Sequence, residues 1–302
     1  ITLTLGSFNI PWTTILFLIY LKSRQALLKL LCVILNMKLF FLSSLLLIFM
    51  IINATYSEAV DRIRTCSGNV LCIQPQVTAR SCLDYRRMGS TKNGFYQISL
   101  PNSFATVYCD FESEPGSAWT LVESFSFENS GLKQVKRHSL VENAPLNEKT
   151  PNWYRYRMSN SLMNHLKQHS THWRVTCSFP QDAKHIYTDY CRTTFKDFDV
   201  MTFLGYSVCK KMEFVNIRGH QCAHCSLLWY TIRGREMVHV DSSASAKCDL
   251  NAAPGSVSSE DNFGWYGVTN RKFRCTSSPD STTNWWFGGY FWIRNDCIFW
   301  TV

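Results

Sequence analysis

The densest group of metal-ligating and redox-capable side chains is His220-Gln221-Cys222-Ala223-His224-Cys225. A C-x-x-C step can offer two thiolates to zinc from one turn, and His220 and His224 can add imidazole nitrogens toward a tetrahedral set. The same spacing also suits a local disulfide in an oxidising compartment. The second C-x-x-C that would complete a zinc ribbon is absent, so the disulfide is the expected state and no metal ligand is assigned. Asp197 with Asp199, and Glu260-Asp261-Asn262, are the two acidic groupings that calcium could use. Calcium takes 6–8 oxygens from several side chains. Neither grouping supplies them alone, so both read as surface acids and no cofactor is expected. The aromatic run Trp285-Trp286-Phe287-Gly288-Gly289-Tyr290-Phe291-Trp292 can be a sugar-stacking platform or a core strand, and the core strand is favoured because aromatics dominate cores. No G-x-S-x-G, H-E-x-x-H or P-loop occurs, and no catalytic residue is nominated. The expectation is a protein that is not an enzyme.

The elements that would hold these groups are mostly short strands. Asn93-Gly94 is a hairpin turn signal, followed by strand-like runs at 95–100, 105–109 and 119–125. Residues 128–151 are polar and read as a loop. Leu162, Met163 and Leu166 fall at helical spacing within 160–169. Further strands are expected at 173–178, 198–204, 212–217, 227–232 and 237–240, with Arg233-Gly234-Arg235 between the last two. Residues 241–262, rich in Ser, Ala, Asp and Asn, read as a long loop.

The beginning of the chain has a different grammar. From Met37 the sequence reads as a secretory signal: Lys38, an apolar run from Leu39 to Ile52, then Thr55-Tyr56-Ser57 before Glu58. The apolar run is shorter than the roughly 20 residues of a spanning helix. Residues 1–36 read either as translation upstream of the start or as a hydrophobic leader. The first reading is preferred because the signal starts at its own Met. Four of the 31 basic residues (Lys22, Arg24, Lys29, Lys38) and none of the 22 acidic ones precede residue 58, so the exported chain would carry +5 rather than +9. Its basic residues are scattered, which argues against nucleic-acid binding. Without the signal no membrane partner is expected.

Removing residues 1–57 also removes Cys32 and leaves twelve cysteines: Cys66, Cys72, Cys82, Cys109, Cys177, Cys191, Cys209, Cys222, Cys225, Cys248, Cys275 and Cys297. An even number in an exported chain suggests up to six bridges. Cys66 and Cys72 enclose the turn-like Ser67-Gly68-Asn69 and can close a local loop or pair at longer range.

Residues 82–122 carry a spaced pattern: Cys82, then Gly94-Phe95-Tyr96-Gln97-Ile98, Val107-Tyr108-Cys109-Asp110-Phe111, and Trp119-Thr120-Leu121-Val122. This resembles the opening of fibrinogen C-terminal-like domains. The resemblance implies an α+β, antiparallel-sheet-dominated, disulfide-rich domain with short helices and long loops over 82–302, after a lead-in at 58–81. It also implies a Cys82–Cys109 bridge, with the remaining pairings open. A loop of that length is worth roughly 3–4 kcal/mol in the chain-entropy model. The pattern departs from the family where Ser117-Ala118 replaces Gly-Gly, where the Asp-rich calcium loop has no clear counterpart, and where Tyr290 stands near the place of a second late cysteine. The family's ligand pocket is therefore not carried over. The segments 152–157, 171–177 and 216–222 are similar to secreted cnidarian proteins known as uncharacterized skeletal organic matrix proteins of stony corals. That resemblance implies a secreted, extracellular matrix location connected with biomineralization, and it brings no known activity; matrix proteins or glycans are the expected partners. A soluble lectin-like protein that binds carbohydrate is the alternative.

Overall fold

The computed structural model describes residues 79–241, 248–250 and 260–291, together with four short strands nearer the N-terminus. Those four, β1 (Leu3–Leu5), β2 (Phe8–Ile10), β3 (Ile63–Cys66) and β4 (Val70–Ile73), form two antiparallel two-stranded ribbons. They belong to a different unit from the one containing the remaining elements. The expected signal segment at 37–57 lies outside the described residues, as does Cys297.

The larger unit is mostly antiparallel sheet with a few short helices. Its strands are β5 (Gly94–Leu100), β6 (Ser103–Asp110), β7 (Ser117–Ser126), β8 (Arg155–Arg157), β9 (His172–Cys177), β10 (Tyr190–Thr194), β11 (Gly205–Ile217), β12 (His220–Ile232), β13 (Glu236–Asp241), β14 (Asp261–Asn262) and β15 (Thr282–Tyr290). They form one sheet in the order β14-β13-β12-β11-β10-β9-β15-β7-β6-β5, with β8 on the far half of β7 beyond β6. Every pairing is antiparallel. The last described strand in sequence, β15, is thus inserted at the centre between β7 and β9.

Turn chemistry sets the hairpins. β11 and β12 are joined by Arg218-Gly219 with φ of 52° and 85°. Positive φ at both central positions matches the right-handed twist of the flanking strands. Helix α1 (Cys82–Arg87) starts on Ser81, whose hydroxyl accepts from the Asp84 amide, and α3 (Asn160–Gln168) starts in the same way on Ser159 and Leu162. The single-turn helix α2 (Lys133–Lys136) and a 3-10 turn at Phe127–Gly131 occupy part of the stretch expected to be a loop.

The core explains why β7 and β15 read as unbroken runs rather than alternating ones: both are buried along almost their whole length. On one face Trp173, Trp229, Trp285 and Phe198 meet ring to ring at 5.3–6.3 Å. On the other the Arg174 guanidinium lies 4.7 Å from the Trp119 ring and 4.9 Å from the Trp286 ring. Successive residues of β9, Trp173 and Arg174, therefore serve opposite faces. Ser117 and Ala118 are both fully buried, and the Ser117 hydroxyl accepts from the Trp119 indole at 2.7 Å. Gly288 does require its lack of a side chain, since a Cβ there would fall 2.0 Å from the Ala118 carbonyl oxygen.

Four disulfides tie the described residues: Cys82–Cys109, Cys177–Cys275, Cys209–Cys248 and Cys222–Cys225. Cys191 is buried with a free thiol, beside the Met212 sulfur at 3.7 Å. It stands outside the fully paired set that an even cysteine count suggests. One expected strand is absent: 198–204 is a turn. The Asp199 carboxylate accepts from the Met201 amide, while Phe198, Val200, Met201 and Phe203 are buried from irregular backbone.

Candidate functional site

Strand β13 carries His239-Val240-Asp241, so His239 and Asp241 share a face and Val240 points away. In the register of β13 with β14, Asp261 lies opposite Asp241 and Asn262 opposite Val240. Asp261 therefore joins His239 and Asp241 on one face. One donor atom from each of the three lies within 4.8 Å of the others.

The surrounding chain holds this trio in place. The backbone N–H of Asp261 donates to the Val268 carbonyl, and its Oδ2 accepts from the amides of Gly267 (2.8 Å) and Val268 (2.6 Å). Oδ1 faces His239 Nε2 at 3.7 Å. The His239 ring stacks on Tyr230, its cross-strand partner, at 5.8 Å and meets Trp265 at 5.3 Å. Its Nδ1 bonds the Met237 carbonyl at 2.8 Å, which makes Nδ1 the protonated nitrogen and leaves the Nε2 lone pair toward Asp261. Burial lowers the His239 pKa to about 4, against the opposing effect of the Met237 bond. Burial also pushes Asp261 up to about 6; the two amides oppose this, while the charges of Asp241 and Glu236 add to it. Burial raises Asp241 as well.

A second feature is an open groove of about 840 Å³ between the β5–β6 hairpin and α3. Gln97, Phe104, Asn164, His165 and Gln168 line it, and Phe104 is well exposed. Amide and hydroxyl groups beside an aromatic ring suit a polar ligand with an apolar face.

Several other charged groups of the interior are paired with each other. Arg174, wholly buried, bonds Asp110 at 2.5 Å and pairs with Glu114 at 3.1 Å. Glu114 accepts from Tyr190 and Tyr290, and Arg192 continues the chain to Glu213, which pairs with His172. Although burial opposes it, Arg174 and the bonds from Ser113 hold Asp110 below the usual carboxylate range. On the far side of β7, Glu123 and Arg157 form a second fully buried pair, and Arg157 also donates to the carbonyls of His138, Ser139 and Glu142. These networks fasten loops to the sheet, and the first reaches partial exposure at Arg192, Glu213 and His172.

The residues nominated from sequence separate clearly. Cys222 and Cys225 are bonded to each other, so their sulfurs are not thiolate ligands, and His220 and His224 are exposed on β12. Trp285, Trp286 and Phe287 are fully buried core; Trp292 lies outside the described residues. Asp197 accepts from the Thr194 hydroxyl and Asp199 pairs with Lys167, each with its own partner. The expectation that Glu260, Asp261 and Asn262 are surface acids is corrected: all three are buried. Nor do they form a set. Arg218 holds Glu260 through two bonds at 2.9 and 2.7 Å, and Asn262 faces away from Asp261. His239 and Asp241 went unnoticed in the sequence, although H-x-D in a strand is a readable same-face pair. Compared with known proteins, the chain matches no family model and no curated protein.

Proposed function

We propose that this chain is an exported, non-enzymatic extracellular matrix protein built on a fibrinogen C-terminal-like domain. It acts by binding other matrix macromolecules. The observation that carries the proposal is the disulfide set. Four bridges, including one between Cys82 and Cys109, cross-link a sheet-rich domain. Such bridges persist in oxidising compartments and are rare in the cytosol. The self-satisfied ion-pair networks fit a scaffold better than a reaction centre.

Expression of the full chain in secretory cells tests this reading. Recovery from the medium with an N-terminus at Glu58 and the four bridges intact supports it. Retention inside the cell with reduced cysteines overturns it. The groove beside α3 favours a second reading, a carbohydrate-binding protein. On a glycan array that reading requires saturable binding to one sugar class, lost in Phe104→Ala and Asn164→Ala. Recovery from demineralised skeleton without such binding favours the matrix role.

A further inference from the structure

We infer that His239, Asp241 and Asp261 form a divalent-cation site with one imidazole nitrogen and two carboxylate oxygens, suited to zinc in preference to calcium. The first argument is register. Two acidic side chains directly opposite on neighbouring strands repel each other. Asp241 and Asp261 stand in this relation at the β13–β14 pair, where a cation between them would turn repulsion into binding.

The second argument starts from the histidine. His239 is 2% exposed and its Nδ1 is committed to the Met237 carbonyl. Nε2 is left with a lone pair and no hydrogen-bond donor among the described residues, and it is aimed at Asp261 Oδ1 at 3.7 Å. A lone pair facing a carboxylate oxygen calls for something positive between them, which a shared proton or a cation supplies, and metal titration separates the two. A ring nitrogen held on a backbone carbonyl is also the usual outer support of a metal-ligating histidine, because it fixes tautomer and orientation. Asp261 is supported likewise, by two amides on its other oxygen.

The donor set points to the ion. Calcium and magnesium take oxygen ligands, whereas zinc accepts histidine nitrogen with carboxylate oxygen and tolerates three protein ligands plus water. The Tyr230 and Trp265 rings on either side of His239 restrict its movement. The site lies apart from Cys222 and Cys225, whose sulfurs are consumed.

The test uses the full oxidised chain without an affinity tag, stripped with a chelator and titrated with zinc, then with calcium. Metal content is measured after gel filtration. The expected result is one equivalent of zinc, a raised thermal midpoint and a weaker response to calcium. His239→Gln and Asp241→Asn are the variants of choice, because Asp261 also holds the 267–268 backbone. Each should lower zinc affinity by at least the roughly 10–100-fold that loss of a mere supporting contact costs. Near-UV circular dichroism and disulfide content confirm that the variants are folded. Failure of the folded wild type to retain zinc overturns the inference, as does retention that both variants leave unchanged. Calcium binding that survives His239→Gln, without zinc binding, also overturns it.

Discussion

Replacing Arg174 by methionine removes the one cation that two buried carboxylates share. The guanidinium is wholly buried, bonded to Asp110 at 2.5 Å, paired with Glu114 at 3.1 Å, and sandwiched between the rings of Trp119 and Trp286. Breaking a buried pair from one side costs about 3–5 kcal/mol, because the partner charge stays behind. The desolvated cation–π contacts add up to about 2 kcal/mol, part of which the apolar methionine side chain restores between the indoles. We expect a loss of about 4 kcal/mol at pH 7. At about 2–4 °C per kcal/mol for a domain of this size, the midpoint falls by about 8–16 °C.

The pH dependence carries the sharper test. In the wild type Asp110 is held below its ordinary 3.8, so its contribution is complete above that value and is lost as pH falls through the lower folded value. In Arg174→Met burial, the largest influence on Asp110, is opposed by the bonds from Ser113 and no longer by a guanidinium, and it raises the carboxyl. The folded variant then takes up a proton more readily than the unfolded chain, and it regains stability as pH falls through the raised value. The wild-type-minus-variant difference, read by denaturant titration of tryptophan fluorescence, should therefore shrink between pH 7 and pH 4. A penalty below about 1 kcal/mol, or one that is equal at both pH values, would refute this account of the interior.

Three further outcomes follow from the same geometry. Cys177→Ala/Cys275→Ala opens a loop of 98 residues and Cys82→Ala/Cys109→Ala one of 27. In the chain-entropy model these cost about 4.7 and about 3.6 kcal/mol, so the first pair should have the lower denaturation midpoint. Gly288→Ala forces β15 away from the Ala118 carbonyl, a clash of backbone with Cβ at 2.0 Å; denaturant titration should show a loss of about 1–3 kcal/mol or more. Cys191, whose thiol burial pushes up, should resist iodoacetamide in the folded protein and be alkylated after denaturation without reductant. Native labelling, or a peptide in which Cys191 is bridged, would contradict its placement.

What could be read in advance, and what could not, divides along the range of the interactions. The β5–β6 hairpin, β7 and α3 were legible because local content decides them: β-branched and aromatic runs, and Leu162, Met163 and Leu166 at helical spacing. The Asn93-Gly94 hairpin signal misled: the chain turns at Pro101-Asn102, and Gly94 stands at the open end of the hairpin opposite Cys109. The stretch 198–204 has the same apolar content as a strand, and periodicity cannot tell a strand from a buried turn in so short a run. Asp199, bonding the Met201 amide, decided for the turn. Strand β10 was hidden for the opposite reason. Tyr190-Cys191-Arg192-Thr193-Thr194 looks polar, yet it lies between β9 and β11, where Arg192 finds Glu114 and Glu213.

The candidate cation site shows this division within a single cluster. Its first half, His239 and Asp241, needs only the two-residue period of a strand, and any reader of β13 could have placed both on one face. Its second half could not be placed. Asp261 follows Asp241 by twenty positions, and its neighbours Glu260 and Asn262 are equally acceptable ligands by type. Two long-range facts select Asp261: the Asp241–Asp261 register of β13 with β14, and the Arg218 guanidinium that occupies Glu260. A slip of one residue in that register would turn Asp261 away from His239 and bring in Asn262 instead. The ligand set is therefore a property of the strand pairing, and the amides of Gly267 and Val268 orient the Asp261 carboxylate within it.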